Sequence, residues 1–151
     1  MIPEASDYRG KDARRQTDAQ VRDHIASEID KLRDKILQLK SSATEEGEED
    51  MLEDLDRIDS RMSRTVEALR SEEHAASPFF EAQEVPEEDL SRVCSYDRAL
   101  LEDLELLVTD VMGLKYETIG NLTLREAEGT LAAIELRVNN RKDVLEISGR
   151  P

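Results

Sequence analysis

The residues most able to carry chemistry are the carboxylates between positions 45 and 59. This stretch holds nine acids and one base, Arg57, which gives it a net charge of −8. If the stretch is helical, acids spaced three and four residues apart project from one side of the helix. Carboxylate oxygens grouped in this way can bind a hard cation such as Mg²⁺ or Mn²⁺. The candidate ligands of such a metal site are Glu46, Glu49, Asp50, Glu53 and Asp54.

Three interpretations of this acidic stretch stay open from the sequence. The favoured one is a solvated helix face whose acids complement the positive end of the helix dipole. The second is a binding patch for a basic partner protein, in which Glu45 and Glu48 would take part. The third is a metal-dependent helical-bundle hydrolase that uses acids of the second and third predicted helices. The third predicted helix, however, offers no matching carboxylate pair, and no cofactor other than this metal is expected.

Histidine and cysteine give little support to catalysis. The two histidines, His24 and His74, lack the Glu-x-x-His spacing that di-iron helical bundles use. Cys94 is the only cysteine, so the chain has no intramolecular disulfide and no cysteine-based zinc site. Because acids surround Cys94 in the sequence, its pKa should be raised, and we interpret it as an inert core thiol. The sequence therefore indicates no catalytic residue.

Asp97 and Arg141 each interrupt an otherwise apolar heptad stripe. The helices that carry them should be antiparallel neighbours. The two residues lie at roughly equal distances from the connecting loop, within about one helical turn of each other. We therefore predict an Asp97–Arg141 ion pair at the edge of the core, where such a pair can specify the register of the helices. The alternative is a polar hole in a ligand-binding bundle.

Phe79 and Phe80 are the only phenylalanines, and they lie next to Pro78 in a long predicted loop. The favoured interpretation is that both rings cap one open end of a bundle. The alternative is that they form an exposed anchor for a partner protein, because aromatic residues are enriched in interfaces. Both residues are therefore candidates for protein interaction.

The elements that must position these residues are four helices with apolar side chains at 3–4 spacing. In the first helix the stripe begins at Val21 and ends at Leu39, and in the fourth it begins at Leu124 and ends at Leu145. Capping boxes and helix-stop residues supply the boundaries. The predicted helices span about 18–41, 45–73, 86–112 and 124–147.

Helices of matched length with apolar stripes predict an all-α fold, an antiparallel up-down four-helix bundle with coiled-coil-like packing. The alternative is a pair of helical hairpins that complete the core only as a dimer. We expect a mobile N-terminal arm over residues 1–16, one bundle domain over residues 17–148, and a tail over residues 149–151.

Composition and charge narrow the function classes. The chain has 151 residues and a formal net charge of −15, with 38% charged and 3% aromatic residues. Such an acidic balance disfavours nucleic-acid binding and binding to an anionic membrane. No secretory signal or membrane span is evident, so we expect a cytoplasmic protein.

The sequence favours a non-catalytic protein-interaction module, an adaptor or regulatory subunit that acts through helix faces and acidic patches. A homodimer is the expected assembly, because charge-rich helices with long apolar seams commonly associate in pairs. The first alternative is the metal-dependent hydrolase described above. The second is an acidic chaperone or decoy for a basic protein.

Overall fold

The computed structural model of this protein describes residues 1–71 and 76–149, and the predicted all-α helical bundle is confirmed. Within these residues there are five α-helices and no strand. A 3-10 helix, Ala5–Tyr8, precedes them. The helices are α1 (Lys11–Glu45), α2 (Glu49–Arg70), α3 (Pro78–Glu81), α4 (Glu87–Met112) and α5 (Asn121–Ser148).

Helices α1 and α2 form an antiparallel hairpin. Near one end of the bundle, Arg22 of α1 donates a hydrogen bond to the carbonyl oxygen of Leu69, at 2.8 Å. Near the other end, the Lys40 ammonium lies 2.6 Å from the Asp56 carboxylate. The start of α1 therefore lies beside the end of α2.

Helices α4 and α5 form a second antiparallel hairpin. Thr130 of α5 donates a hydrogen bond to Asp110 of α4 at 3.1 Å, and Arg92 of α4 donates to Ser148 of α5 at 3.4 Å. The two hairpins then pack with α1 beside α4 and α2 beside α5. This order around the bundle places α1 diagonally across from α5, and α2 diagonally across from α4.

The neighbouring helices of different hairpins run parallel. Arg57 of α2 lies 2.8 Å from Glu128 of α5, and Arg64 lies 3.8 Å from Glu135. The long connection between α2 and α4 must consequently cross one end of the bundle diagonally. The short helix α3 lies in this connection and packs against α1 and α5.

The N-terminal segment differs from the mobile arm that we expected for residues 1–16. Helix α1 begins at Lys11, and Tyr8 of the preceding 3-10 helix is fully buried. Gly10 turns the chain between the two helices with a φ of +79°, a conformation that favours glycine. The Thr17 hydroxyl donates a hydrogen bond to the Asp7 carbonyl oxygen at 2.6 Å, which fastens the segment to α1.

Helix α2 is shorter than the predicted 45–73. Gly47 has a φ of +69° and separates α1 from α2, so the first acids of the stretch end α1 or lie in the turn. The predicted end of this helix, together with His74, lies outside the described residues, as does most of the 149–151 tail.

The core is aliphatic along the length of the four long helices, and it contains the predicted stripe residues from Val21 to Leu39 and from Leu124 to Val138. A second buried cluster closes the end of the bundle where α1 and α4 begin. Its members are Tyr8, Phe79, Phe80, Leu90, Val93 and Leu145. None of the helices that the structure describes is long and apolar enough to cross a membrane.

Candidate functional site

The structure brings Asp97 of α4 and Arg141 of α5 together in a buried ion pair. Arg141 donates from Nε to one Asp97 oxygen at 2.8 Å and from Nη2 to the other at 3.1 Å. The side chain of Asp97 is 0% exposed and that of Arg141 is 1% exposed. The pair is therefore fully enclosed, whereas the sequence placed it at the edge of the core.

Two further elements complete a polar network around Arg141. Its Nη1 donates to Asp18 of α1, which lies diagonally across the core, and the Tyr8 hydroxyl donates to Asp97. Asp18 also accepts a hydrogen bond from Arg22 at 2.9 Å. Two carboxylates thus face two guanidinium groups, so the buried charge is balanced and the polar atoms have partners.

The pKa shifts in this network follow from burial and from neighbouring charges. Burial raises the pKa of Tyr8 well above its ordinary value, and the negative charge of Asp97 raises it further. Burial by itself would lower the pKa of Arg141, but the charges and hydrogen bonds of Asp97 and Asp18 more than offset it and raise this pKa. Tyr8 stays neutral and Arg141 stays charged at every physiological pH.

Sequence reasoning missed Tyr8 and Asp18 as members of the network. A signal for Asp18 was present, because Arg14, Asp18, Val21 and Ile25 continue the 3–4 spacing of the first stripe. Extending the helix to its true start would have placed Asp18 in the core. The sequence held no signal for Tyr8. Because the chain turns at Gly10, Tyr8 lies outside α1, and the 3–4 spacing of that helix does not predict where its side chain lies.

A second arginine, Arg14, is buried next to this network without a carboxylate partner among the described residues. It donates to the carbonyl oxygen of Ala82, and its guanidinium carbon lies 5.7 Å from the centre of the Phe79 ring. Its Nε has no hydrogen-bond partner among the residues that the structure describes. Burial lowers the pKa of Arg14.

Phe79 and Phe80 do not form an exposed anchor, so their assignment as interaction candidates is wrong. Both rings are buried. The Phe79 ring packs edge-on against Tyr8, with centroids 5.7 Å apart, and against Phe80, with centroids 5.3 Å apart. The diagonal connection needs apolar side chains to cover the end of the core that it crosses, and these two rings supply them.

The predicted metal ligands are not assembled into a metal site. Among the described residues, no group of three or more acids, histidines or cysteines is placed to hold a metal ion. Asp54 lies 2.9 Å from Arg57, and that arginine also contacts Glu128 of α5. Helix α2 places these acids on its outer side, where Arg57 pairs with Asp54.

The arrangement of helices also separates the acids that the hydrolase alternative would combine. Helix α2, which carries Glu53, lies diagonally across the core from α4, which carries Glu102 and Glu105. Charged side chains on diagonal helices point into solvent on opposite sides. A shared concave site is therefore not formed between them.

The exposed acids at the start of the predicted acidic stretch lie at the end of the bundle where α1 ends and α2 begins. There Glu45, Glu46, Glu48, Glu49, Asp50 and Glu53 are all exposed. We call this group the acidic end. Tyr116, in the α4–α5 connection, is half-buried nearby; burial raises its pKa, and the charges of Glu48 and Glu46 raise it further. Met112 and Leu122, which flank the same connection, are exposed apolar residues at this end.

Cys94 and His24 have no surroundings suited to catalysis. Burial raises the pKa of the Cys94 thiol to about 11, and the charge of Asp97 contributes to this shift. A thiol with such a pKa is a poor nucleophile at neutral pH. His24 is half-buried on α1 next to Ile25 of the core stripe.

Comparison with known families, curated proteins and solved structures gave no match for this chain.

Proposed function

We propose that this protein is a non-catalytic interaction module, an adaptor or regulatory subunit, whose acidic end binds a basic segment of a partner protein. The observation that carries the proposal is the composition of that end. Exposed carboxylates stand beside Tyr116 and Met112, so charge and apolar contact are offered together. Interfaces combine apolar anchors with a charged rim in this way.

The pattern of ion pairing supports this choice of surface. Along the long helices several surface charges pair across neighbouring helices, as in Arg33–Asp59 at 3.0 Å and Arg137–Asp103 at 2.8 Å. No such pair is found within the described residues for Glu48 or Glu49. Unpaired charge of one sign attracts a partner of the opposite sign and speeds its association.

A basic amphipathic peptide tests the proposal directly. The full protein is titrated into a fluorescent 20-residue peptide that forms a helix with lysines on one face and leucines on the other. Fluorescence anisotropy is measured at several salt concentrations. We expect binding that weakens as salt rises, because the carboxylates are exposed and therefore screened. Glu46→Gln with Glu48→Gln should weaken binding roughly fivefold, on the scale of exposed charge pairs.

The matched control removes the same charge from the opposite end of the bundle. Glu84 and Glu88 are also exposed, and their double change to Gln alters the net charge equally. Equal loss of binding in both double variants, or peptide binding that is insensitive to salt, would contradict a site at the acidic end. Tyr116→Ser removes an apolar contact without changing the net charge, so it measures the apolar contribution to peptide binding.

We also propose that the protein works as a cytoplasmic homodimer. The exposed apolar residues on the second hairpin support this assembly, because they leave a helix face that no part of the described chain covers.

A further inference from the structure

Helix α5 carries a second stripe of residues on the side away from the core. Its buried side is formed by Leu124, Leu131, Val138 and Leu145. On the outer side Leu122 is 70% exposed, Leu136 is 62% exposed and Ile147 is 56% exposed. Every residue of the outer stripe is exposed and the 4–3 spacing is unbroken: Leu122, Glu126, Gly129, Ala133, Leu136, Asn140, Asp143 and Ile147.

The middle of this stripe opens into a recess between α4 and α5. Small residues and one leucine line it, together with three acids: Gly129, Thr130, Ala133, Leu106, Asp103, Asp110 and Glu126. The recess has a volume of about 500 Å³. It is open to solvent and broad enough to receive a leucine side chain from another helix.

The stripe is complementary to itself when two copies of α5 run antiparallel. In the register centred between Ala133 and Leu136, Ala133 faces the partner's Leu136. The same register places Gly129 opposite the partner's Asn140, and Leu122 opposite the partner's Ile147. Small residues meet large ones in the central layers, which is how facing helices interdigitate. Each pair joins an a position of one copy to a d position of the other, as in an antiparallel coiled coil.

Charges beside the stripe favour the same register. Arg125 then lies beside the partner's Glu146, and the twofold axis repeats this contact at the other end. One layer opposes the register, because Glu126 faces the partner's Asp143. We propose that this stripe is the interface of a homodimer in which two α5 helices pack antiparallel, with Leu136 of each copy entering the recess of the other.

This inference rests on the proposed homodimer and is independent of the proposed basic partner. Sedimentation velocity on the full chain measures the mass at protein concentrations from 1 to about 100 μM, a range that covers interfaces of moderate affinity. We expect the wild type to sediment at twice the 17.2 kDa of one chain. Leu136→Glu should sediment as one chain, because each copy would have to bury an unpaired carboxylate in the recess of the other.

Leu37→Glu is the matched control, since Leu37 is an exposed leucine of α1 on another side of the bundle. It should remain dimeric. Circular dichroism checks that both variants keep their helices, and Ala133→Glu supplies a second disruption from an exposed position. Glu126→Gln should instead tighten the dimer about three- to tenfold, because it removes the acid–acid layer. Misfolding of the variant could weaken the dimer but could not tighten it.

The register is tested by spin labels at Asn139 or Arg125 in a Cys94→Ser background. Antiparallel packing predicts distances between equivalent Cα atoms of roughly 16 Å at position 139 and 30 Å at position 125, from the helix rise and the usual helix spacing. Equal distances at both positions would indicate a parallel dimer and overturn the register. A monomeric wild type would overturn the homodimer and this interface together. A dimer that Leu136→Glu leaves intact would overturn the interface alone.

Discussion

Removing one member of the buried Asp97–Arg141 pair should be among the most damaging single changes in this protein. In Asp97→Asn, Arg141 keeps Asp18 but loses a bidentate carboxylate at 2.8 and 3.1 Å, and Tyr8 loses its charged acceptor. Breaking a buried ion pair costs about 3–5 kcal/mol, and here Arg141 and Arg22 would be left to share the single carboxylate of Asp18. At roughly 2–4 °C per kcal/mol for a chain of this size, the melting temperature should fall by about 6–20 °C.

Replacing both charges should cost much less than the sum of the single changes. Asp97→Leu with Arg141→Met substitutes apolar side chains for both members of the pair, and such exchanges are often neutral or stabilising. Tyr8→Phe is added because the Tyr8 hydroxyl would otherwise lose its partner. Urea unfolding of the wild type, the single variants and the combined variants gives the coupling free energy. We expect a coupling of at least about 2 kcal/mol.

An exposed pair on the same two helices supplies the control. Arg137 of α5 lies 2.8 Å from Asp103 of α4, and the Arg137 side chain is 40% exposed. Asp103→Asn should cost about 0–1 kcal/mol, as exposed ion pairs do. If Asp97→Asn costs no more than Asp103→Asn, burial does not determine the energetics of this network and the reasoning fails.

Three further experiments test the end of the bundle where α1 and α4 begin. Phe80→Ala should destabilise the protein by about 3–5 kcal/mol in urea unfolding, because it removes a buried ring; a cost below 1 kcal/mol would mean that the connection is not packed on the core. Gly149→Ala should cost about 1–3 kcal/mol through overpacking, because an added Cβ would overlap the backbone nitrogen of Phe79; an unchanged melting temperature would contradict this close approach. Cys94 alkylation by iodoacetamide should accelerate as pH rises towards about 11, whereas in urea the rise should centre near the ordinary pKa of 9.0. Since the thiolate is the reactive form, equal pH profiles in the folded and unfolded protein would show that the thiol is not shielded.

The sequence predicted the helical bundle and much of its core because both depend on local periodicity. The 3–4 spacing of apolar residues identifies the side of each helix that is buried, as the aliphatic core shows for Val21, Ile25 and Leu131. The same periodicity singled out Asp97 and Arg141, which break the stripes. Polar residues at core positions must find a partner, and that requirement led from the pattern to the contact.

The contacts between distant parts of the chain depend on how the helices are arranged, and local sequence patterns do not encode that arrangement. Periodicity does not indicate which helices are neighbours, and the diagonal connection decides that Asp18 reaches Arg141 and that Phe79 is buried. The acidic stretch misled in another way. Gly47 separates Glu46 from α2, and the other four candidate ligands lie on α2 but do not assemble with further ligands among the described residues.

The diagonal contact between Asp18 and Arg141 has a kinetic consequence. Each hairpin closes through contacts between consecutive helices, whereas this contact joins residues 123 positions apart. The entropy of closing so long a loop must be overcome before the contact can form, so it should form after the hairpins. Substitutions in the network should then accelerate unfolding and leave the folding rate nearly unchanged. The buried charges thus slow unfolding and set the lifetime of the native bundle.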